Sequence, residues 1–237
     1  MTYLSQLSNS GNELTFTRKK EYIRFNFGPL IDNKLKQKNC SVLEIGPGLG
    51  EFISYCNDQG IQSVDVIDYE KEVLDYVSKK FKVRNKFMSS NIFPIKEKLG
   101  SYDIIMMTQV LEHIPTEKHI TYLQILYNRL NAGGVILITV PNIGNPLAIY
   151  ERYYDYTHEA AFTDHSLIQL TDFAHLKNSK VQVQGFYIPT YNPTNIIRST
   201  LQFILHGLFK LLFMANGGVY PQVLTTNITL VIEKSGK

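Results

Sequence analysis

Three groups of residues in this chain have types and spacing suited to chemistry. The first is Val42-Leu43-Glu44-Ile45-Gly46-Pro47-Gly48-Leu49-Gly50, an apolar, β-prone run that enters a turn with glycine at alternate positions. Glycines there let the backbone turn sharply and lie against a ligand, because no Cβ intervenes. Glu44 sets a carboxylate just before the loop and Glu51 another just after it. Acids at a loop suit a cationic ligand better than a pyrophosphate. The second group is Asp68, 18 positions beyond Gly50. Nucleotide-binding sheets place a carboxylate there for ribose hydroxyls. Asp also favours a helix N-cap, and one residue can serve both ends. The third group is Glu112-His113 with the later His158. An imidazole titrates near neutral pH and suits general-base work, with His113 or His158 as the candidate. A purely structural use is the competing possibility, with His113 bonding its loop and Glu112 capping a turn.

These residues need a scaffold, and the hydrophobic pattern supplies one. A strand at about 41–45 leads into the loop, and Glu51-Phe52-Ile53-Ser54-Tyr55-Cys56 starts a helix. Further strands are expected at about 63–67, 85–88 and 102–107, and helices at about 69–80 and 116–130. The second of these helices carries Ile120, Leu123, Leu126, Tyr127 and Leu130 on one face. Asn131-Ala132-Gly133-Gly134 should end it. Residues 135–140 form an apolar run, the mark of a strand covered on both faces. Residue 163 or 164 should cap a helix to about 175, and strands follow at about 180–187 and 223–232. Repeated β-α-β order predicts an α/β fold with a mostly parallel seven-stranded sheet and helices on both faces.

Other stretches decorate that scaffold. Residues 1 to about 12 are polar and read as loose or lid-like. Residues 13–38 read as two helical pieces divided by Gly28-Pro29, so 1–38 is expected as an N-terminal helical lid or extension before a main domain at 39–237. Arg18, Lys19, Lys20 and Arg24 either face an anionic substrate or lie on a solvated helix face. The stretch at about 142–165 is long for a plain connection, which marks a functional insert. The apolar helix at about 195–216 carries Arg198, Gln202, His206 and Lys210 at every fourth position. A polar stripe on each turn argues against a transmembrane span. Internal packing, a homodimer contact, a cover over the active site and a helix lying in a membrane interface remain open for it.

Composition bounds the function classes. The chain has 237 residues, 44% hydrophobic and 19% charged, so one folded α/β domain is expected and global disorder is excluded. A net charge of +3 with dispersed basic residues gives no reason to expect a nucleic-acid partner. The two cysteines, Cys40 and Cys56, lack metal-ligand spacing, and no signal-peptide pattern opens the chain. A cytoplasmic location follows as the expectation, with the inner face of the membrane as a further site.

The loop resembles motif I of the class I S-adenosylmethionine (SAM) methyltransferases, E/D-x-G-x-G-x-G. The resemblance covers about residues 40–140, through Glu44 to Gly50, Asp68, Tyr102-Asp103, Val110 to Ile114, and Gly133-Gly134. It implies a Rossmann-like methyltransferase fold with SAM as cofactor. It implies cofactor contacts at Glu44, Gly46, Pro47, Gly48, Gly50, Asp68, Tyr69, Asn91, Ile92 and Thr108. Where the family often has an Asp for adenine, this chain has Ser90-Asn91. The stretch Pro141-Asn142, Asp155, Thr157-His158-Glu159 and Phe162-Thr163 is similar to bacterial methyltransferases of capsule and lipopolysaccharide synthesis. That similarity implies an O-methyltransferase acting on a sugar, nucleotide-sugar or other surface-glycan precursor. Asn142, Tyr153, Tyr154 and Asp155 would then form the acceptor pocket, with Tyr150 and Tyr156 as packing residues.

Gln109-Val110-Leu111-Glu112-His113 also resembles the E-x-x-E-H of metal-dependent O-methyltransferases. That implies a divalent ion such as magnesium on Glu112, His113 and His158. Neutral Gln109 replaces the first acid, a loss that Asp155 or Glu159 could restore. Competing expectations are a quinone-like or lipid-linked acceptor, a methyltransferase-like binding protein without catalysis, and a nicotinamide-dependent oxidoreductase. Glu44 and the glycine spacing disfavour the last.

Overall fold

The computed structural model describes residues 13–236, so the expected loose or lid-like segment at residues 1 to about 12 lies outside the described residues. The strands are β1 (Val42–Ile45), β2 (Val64–Asp68), β3 (Asn85–Met88), β4 (Tyr102–Thr108), β5 (Leu130–Pro141), β6 (Ser179–Gly185) and β7 (Asn227–Lys234). They form one sheet in the order β3-β2-β1-β4-β5-β7-β6. Strands β3 to β5 pair in parallel, and β7 runs antiparallel between β5 and β6. Helices α1 (Glu13–Leu35), α2 (Glu51–Asp58), α3 (Lys71–Lys80), α4 (His119–Asn128), α5 (Ile149–Tyr154), α6 (Asp164–Phe173) and α7 (Pro193–Ala215) complete the order.

Successive strand residues feed two cores. Leu43, Ile45, Ile105, Met107, Ile136 and Ile138 pack on one face, while Val42, Val64, Ile104, Met106, Val135 and Leu137 pack on the other. Burial on both faces explains why these strands read as unbroken apolar runs.

Three local expectations are corrected. Residues 13–35 form one helix through Gly28-Pro29, not two. A Cβ on Gly28 would lie 3.2 Å from the Asp32 carboxylate and 3.2 Å from the Tyr55 hydroxyl of α2, so the glycine lets two helices approach. The Tyr55 hydroxyl donates to Asp32, and Phe27, Ile31 and Leu35 are buried around it. Tertiary packing thus carries the helix past a proline that costs it one backbone hydrogen bond. On α4, Ile120 is exposed and Tyr122 is buried in its place. Residues 131–134 do not cap α4; they bulge within β5, where Leu130 pairs with Tyr102 but Val135 pairs with Ile104. Gly133 takes φ +75° in that bulge, and Lys34 donates to its carbonyl.

One buried acid ties the sheet's inner strands together. Asp65, 1% exposed, accepts from Arg84 Nε at 2.8 Å, Arg84 Nη2 at 2.7 Å, Asn85 Nδ2 at 3.0 Å and the Tyr102 hydroxyl at 2.9 Å. Removing one member of such a buried network leaves its partners unsatisfied. Asp65→Ala is expected to destabilise the fold by about 3 kcal/mol, discounted for the partly exposed Arg84; chemical denaturation reads it, and a loss under about 1 kcal/mol would contradict the role.

Candidate active site

The strand order reverses between β1 and β4, and ligands bind at the carboxyl ends of strands at such a switch point. A cleft of about 1990 Å³ opens there. Its floor is the loop after β1. Gly46, Gly48 and Gly50 all have positive φ, at +71°, +52° and +84°. The causes differ. A Cβ on Gly46 would lie 2.6 Å from Val110, and one on Gly50 would lie 2.5 Å from Phe81. Nothing lies within 4 Å of the Cβ position at Gly48, which faces the open cleft. Gly50 is therefore the N-cap of α2 and not part of the cleft wall, and Ile92 is a fully buried core residue. Packing against neighbouring side chains accounts for both of these members of the expected cofactor set, and neither lines the cleft. Glu44, Gly46, Pro47, Gly48, Asp68, Tyr69, Asn91 and Thr108 do line the cleft.

Acids dominate this end. Glu44, Glu51 and Asp68 are all buried and all border the cleft. Burial, then the charges of Glu51 and Asp68, holds Glu44 well above the carboxylate range. Its Oε2 has no hydrogen-bond partner among the described residues. Burial also raises Asp68, whose Oδ1 accepts from the Glu70 backbone at 2.8 Å. Asp68 thus braces the entry to α3, while Glu70 is its N-cap residue. Lys19 meets Glu51 at 3.3 Å and Lys20 pairs with Asp58, so of the basic cluster on α1 Arg18 and Lys19 line the cleft. Converging desolvated carboxylates favour a cationic ligand. The sulfonium and amino group of SAM fit that donor set, and the space beside Gly48 admits it. Asn91 uses its amide oxygen on the Phe93 N–H at 3.1 Å, leaving one lone pair for adenine.

The second centre lies on the turn after β4. Leu111–His113 form a 3-10 turn, and the Glu112 carbonyl accepts from the Glu159 and Ala160 N–H groups at 2.8 and 3.1 Å. This draws residues 155–160 against the turn. The Thr157 hydroxyl donates to Asp155 Oδ1 at 2.7 Å and lies 2.9 Å from His113 Nδ1. A hydroxyl has one proton, and here it goes to Asp155. Thr157 therefore accepts from His113 Nδ1–H, which leaves Nε2 as the unprotonated nitrogen. Burial and then the neighbouring His158 lower the His113 pKa, favouring neutral imidazole. The His158 ring sits 4.7 Å from that of His113. Glu112 is 1% exposed, its two oxygens lack partners among the described residues, and burial pushes its pKa to about 8. One ligand atom each from Glu112, His113 and His158 lie within 4.8 Å of one another. Of the three, His113 lines the cleft, with Glu112 and His158 behind it.

Other expected contacts fall elsewhere. Gln109 is not part of this cluster: it adopts φ +55° and donates to Asn227 Oδ1 at 2.9 Å. Asn142 is fully buried, with its amide donating to the Val223 and Thr225 carbonyls, so its side chain anchors the loop. Tyr153 and Tyr154 point to solvent, 77% and 73% exposed, outside the cleft. Asp155 lines it, and Tyr156, expected only to pack, is fully exposed at its rim. Sequence reading missed Thr157, although Asp-x-Thr is a local side-chain turn pattern. It also missed Tyr22 and Asn145, which line the cleft with no motif to signal them. From α7, Arg198, Gln202 and His206 line it too, whereas Lys210 lies over the Tyr220 ring.

Comparison with known proteins decides the family. The family model described as "Methyltransferase domain" matches residues 13–179. This chain belongs to the methyltransferase-domain family. Its fold is that of the SAM-dependent enzymes. A SAM-dependent methyltransferase from Archaeoglobus fulgidus is 18% identical, with 91% of this chain and 94% of that one covered at a TM-score of 0.64. The plantazolicin methyltransferase BamL, solved with a triazolic desmethylPZN analogue and S-adenosylhomocysteine, is also 18% identical, covering 98% and 91% at 0.63. A possible histamine N-methyltransferase from Thermotoga maritima is 14% identical, covering 98% and 96% at 0.60. No curated protein sequence matches the chain. Family and fold are thus those of methyltransferases, and Glu44, Glu51 and Asp68 are the acids that border the cleft beside Gly48.

Two outcomes follow for this methyltransferase. Gly48→Val puts a branched side chain into the open cleft at a positive φ, and should weaken S-adenosylhomocysteine binding at least about 100-fold by calorimetry; near-normal affinity would contradict the loop's role. The folded state keeps Glu112 protonated up to about pH 8, against a usual value of 4.5. Its contribution to stability is therefore full below that usual value and is lost as the pH rises through about 8. With chelator present, the melting temperature should fall between those limits, and less so in Glu112→Gln; parallel curves would refute the assignment.

Proposed function

We propose that this methyltransferase transfers its methyl group to a hydroxyl oxygen of a sugar, nucleotide-sugar or other surface-glycan precursor. The observation that carries this is the Asp155–Thr157–His113 chain, which leaves His113 Nε2 able to accept a proton beside the cleft. SAM supplies an electrophilic methyl carbon on a good leaving group. The chain's residues position the acceptor and take up its proton. His113 receives the hydroxyl proton at Nε2 as the oxygen–methyl bond forms. Thr157 and Asp155 fix the ring and favour the imidazolium that results. Lys, amine and thiol acceptors need no such relay to the same degree, because their free bases are already nucleophilic or acidify readily.

The cleft's lining supports a sugar-like, anionic acceptor. Tyr22 and Tyr156 offer ring faces, and Gln202 and Asn145 offer amides. Arg18 and Arg198 line the cleft without an acid partner among the described residues, which suits a phosphorylated or nucleotide-linked sugar. The similarity of residues 141–163 to capsule and lipopolysaccharide methyltransferases points the same way.

A second reading rests on Glu112. Its unpartnered buried carboxylate, with His113 and His158 in reach, has the donor set of a divalent-ion site. Such an ion would bind the acceptor hydroxyl and lower its pKa, with these three side chains holding it.

One experiment separates them. Against a panel of glycan precursors, His113→Ala should lower kcat about 100-fold or more while S-adenosylhomocysteine affinity stays unchanged. Wild-type turnover unaffected by chelator supports the base. Turnover lost to chelator and restored by magnesium, with one equivalent bound by calorimetry and none in Glu112→Ala, assigns the metal. An unchanged kcat in His113→Ala would overturn both.

A further inference from the structure

We propose that the outward face of α7 seats this protein on an anionic lipid surface, with the mouth of the cleft at the bilayer. The proposal stands whichever atom is methylated.

Helix α7 is amphipathic in the reverse of the usual sense. Asn195, Ser199, Gln202 and His206, spaced three or four apart, are covered or half-covered, together with Leu205 and the buried Phe209. They face the body of the protein, and Gln202 and His206 line the cleft. Most of the apolar side chains face solvent instead: Ile197, Phe203, Ile204, Leu208, Leu211 and Met214 are all exposed, Phe203 by 80%. A water-facing helix in a globular protein puts its polar residues outward. The segment before and within α5 repeats the pattern at the same cleft. Leu147, which lines it, and the neighbouring Ile149, Tyr150, Tyr153 and Tyr154 are exposed. Tyrosines of this kind favour the headgroup layer, where the ring is apolar and the hydroxyl wet. An exposed apolar surface of this extent marks a contact site.

Charge selects the partner. Residues 187–232 contain no Asp or Glu, but contain Arg198 and Lys210. Arg152 of α5 lies over the Tyr153 ring at the second patch. A two-fold contact through α7 would bring Arg198 and Lys210, which flank its apolar face, towards their own symmetry mates with no acid on that helix to neutralise them. An anionic leaflet offers both the apolar layer and the opposite charge. The helix is long and apolar enough to cross a bilayer, but crossing would carry Arg198, His206 and Lys210 into hydrocarbon, where charge is costly, so a seat on the surface is favoured. Seating on the surface leaves Gln202 and His206 in the cleft, where an acceptor drawn from the membrane would meet them.

The test is vesicle co-sedimentation of the whole protein, with phosphatidylcholine vesicles carrying phosphatidylglycerol and with phosphatidylcholine alone. Binding is expected on the anionic vesicles, weakening as salt is raised. Phe203→Ser with Leu211→Ser, both exposed and outside the cleft, should cut that binding about tenfold or more. S-adenosylhomocysteine affinity should stay unchanged in that variant, which shows that it folds and keeps any failure of the cofactor site distinct. No binding by folded protein at low salt would overturn the proposal. So would binding unaffected by the two substitutions, or a dimer in sedimentation velocity that the substitutions dissociate.

Discussion

Negative charge held out of water at the carboxyl end of the sheet is the constraint on which this molecule depends. An ionised carboxylate in an apolar setting costs several kcal/mol unless partners compensate. Two classes of buried acid meet that cost differently. Asp65, at the opposite, amino end of β2, is surrounded by Arg84, Asn85 and Tyr102 and has a structural role. Glu44 and Glu112 keep oxygens without partners among the described residues, and burial raises both towards the protonated form. Such unpartnered acids are groups that a ligand with positive charge would neutralise.

The two acid centres are held apart by β4 and joined by its ends. Val110, just beyond β4, packs so close to Gly46 that a Cβ there would clash. Gln109 turns the chain through a left-handed conformation and ties back to Asn227 of β7. The Glu112 carbonyl then collects the backbone of residues 159 and 160. The loop after β1, the turn after β4 and residues 155–160 therefore share one junction. Positional precision of that sort is what a displacement between two bound reactants requires.

Much of this was legible in sequence because the responsible physics is local or periodic. Seven strands were expected and seven form, the central ones marked by apolar runs, and the loop, Asp68 and His113, singled out by type and spacing, line the cleft. What was illegible depended on non-local partners. Gly28-Pro29 reads as a break unless Tyr55 is known to lie against it. Gly133 reads as a helix cap unless the register of β5 on β4 is known. Asn142 looks like a ligand-binding polar residue, and only its buried contacts to Val223 and Thr225 reveal an anchor. Tyr153 and Tyr156 are the same residue type and both are exposed, and only the path of the chain after α5 brings Tyr156 to the rim of the cleft.

Strand β7 comes last in chain order yet lies between β5 and β6, fully buried over most of its length. Until residues 227–234 have been synthesised, β5 has an unpaired apolar edge and β6 has no place in the sheet. An open edge of that kind is a template for pairing with other chains. The nascent protein therefore passes through an interval in which its half-built sheet is adhesive, and its closure waits on a contact of long sequence separation, the slow kind to form.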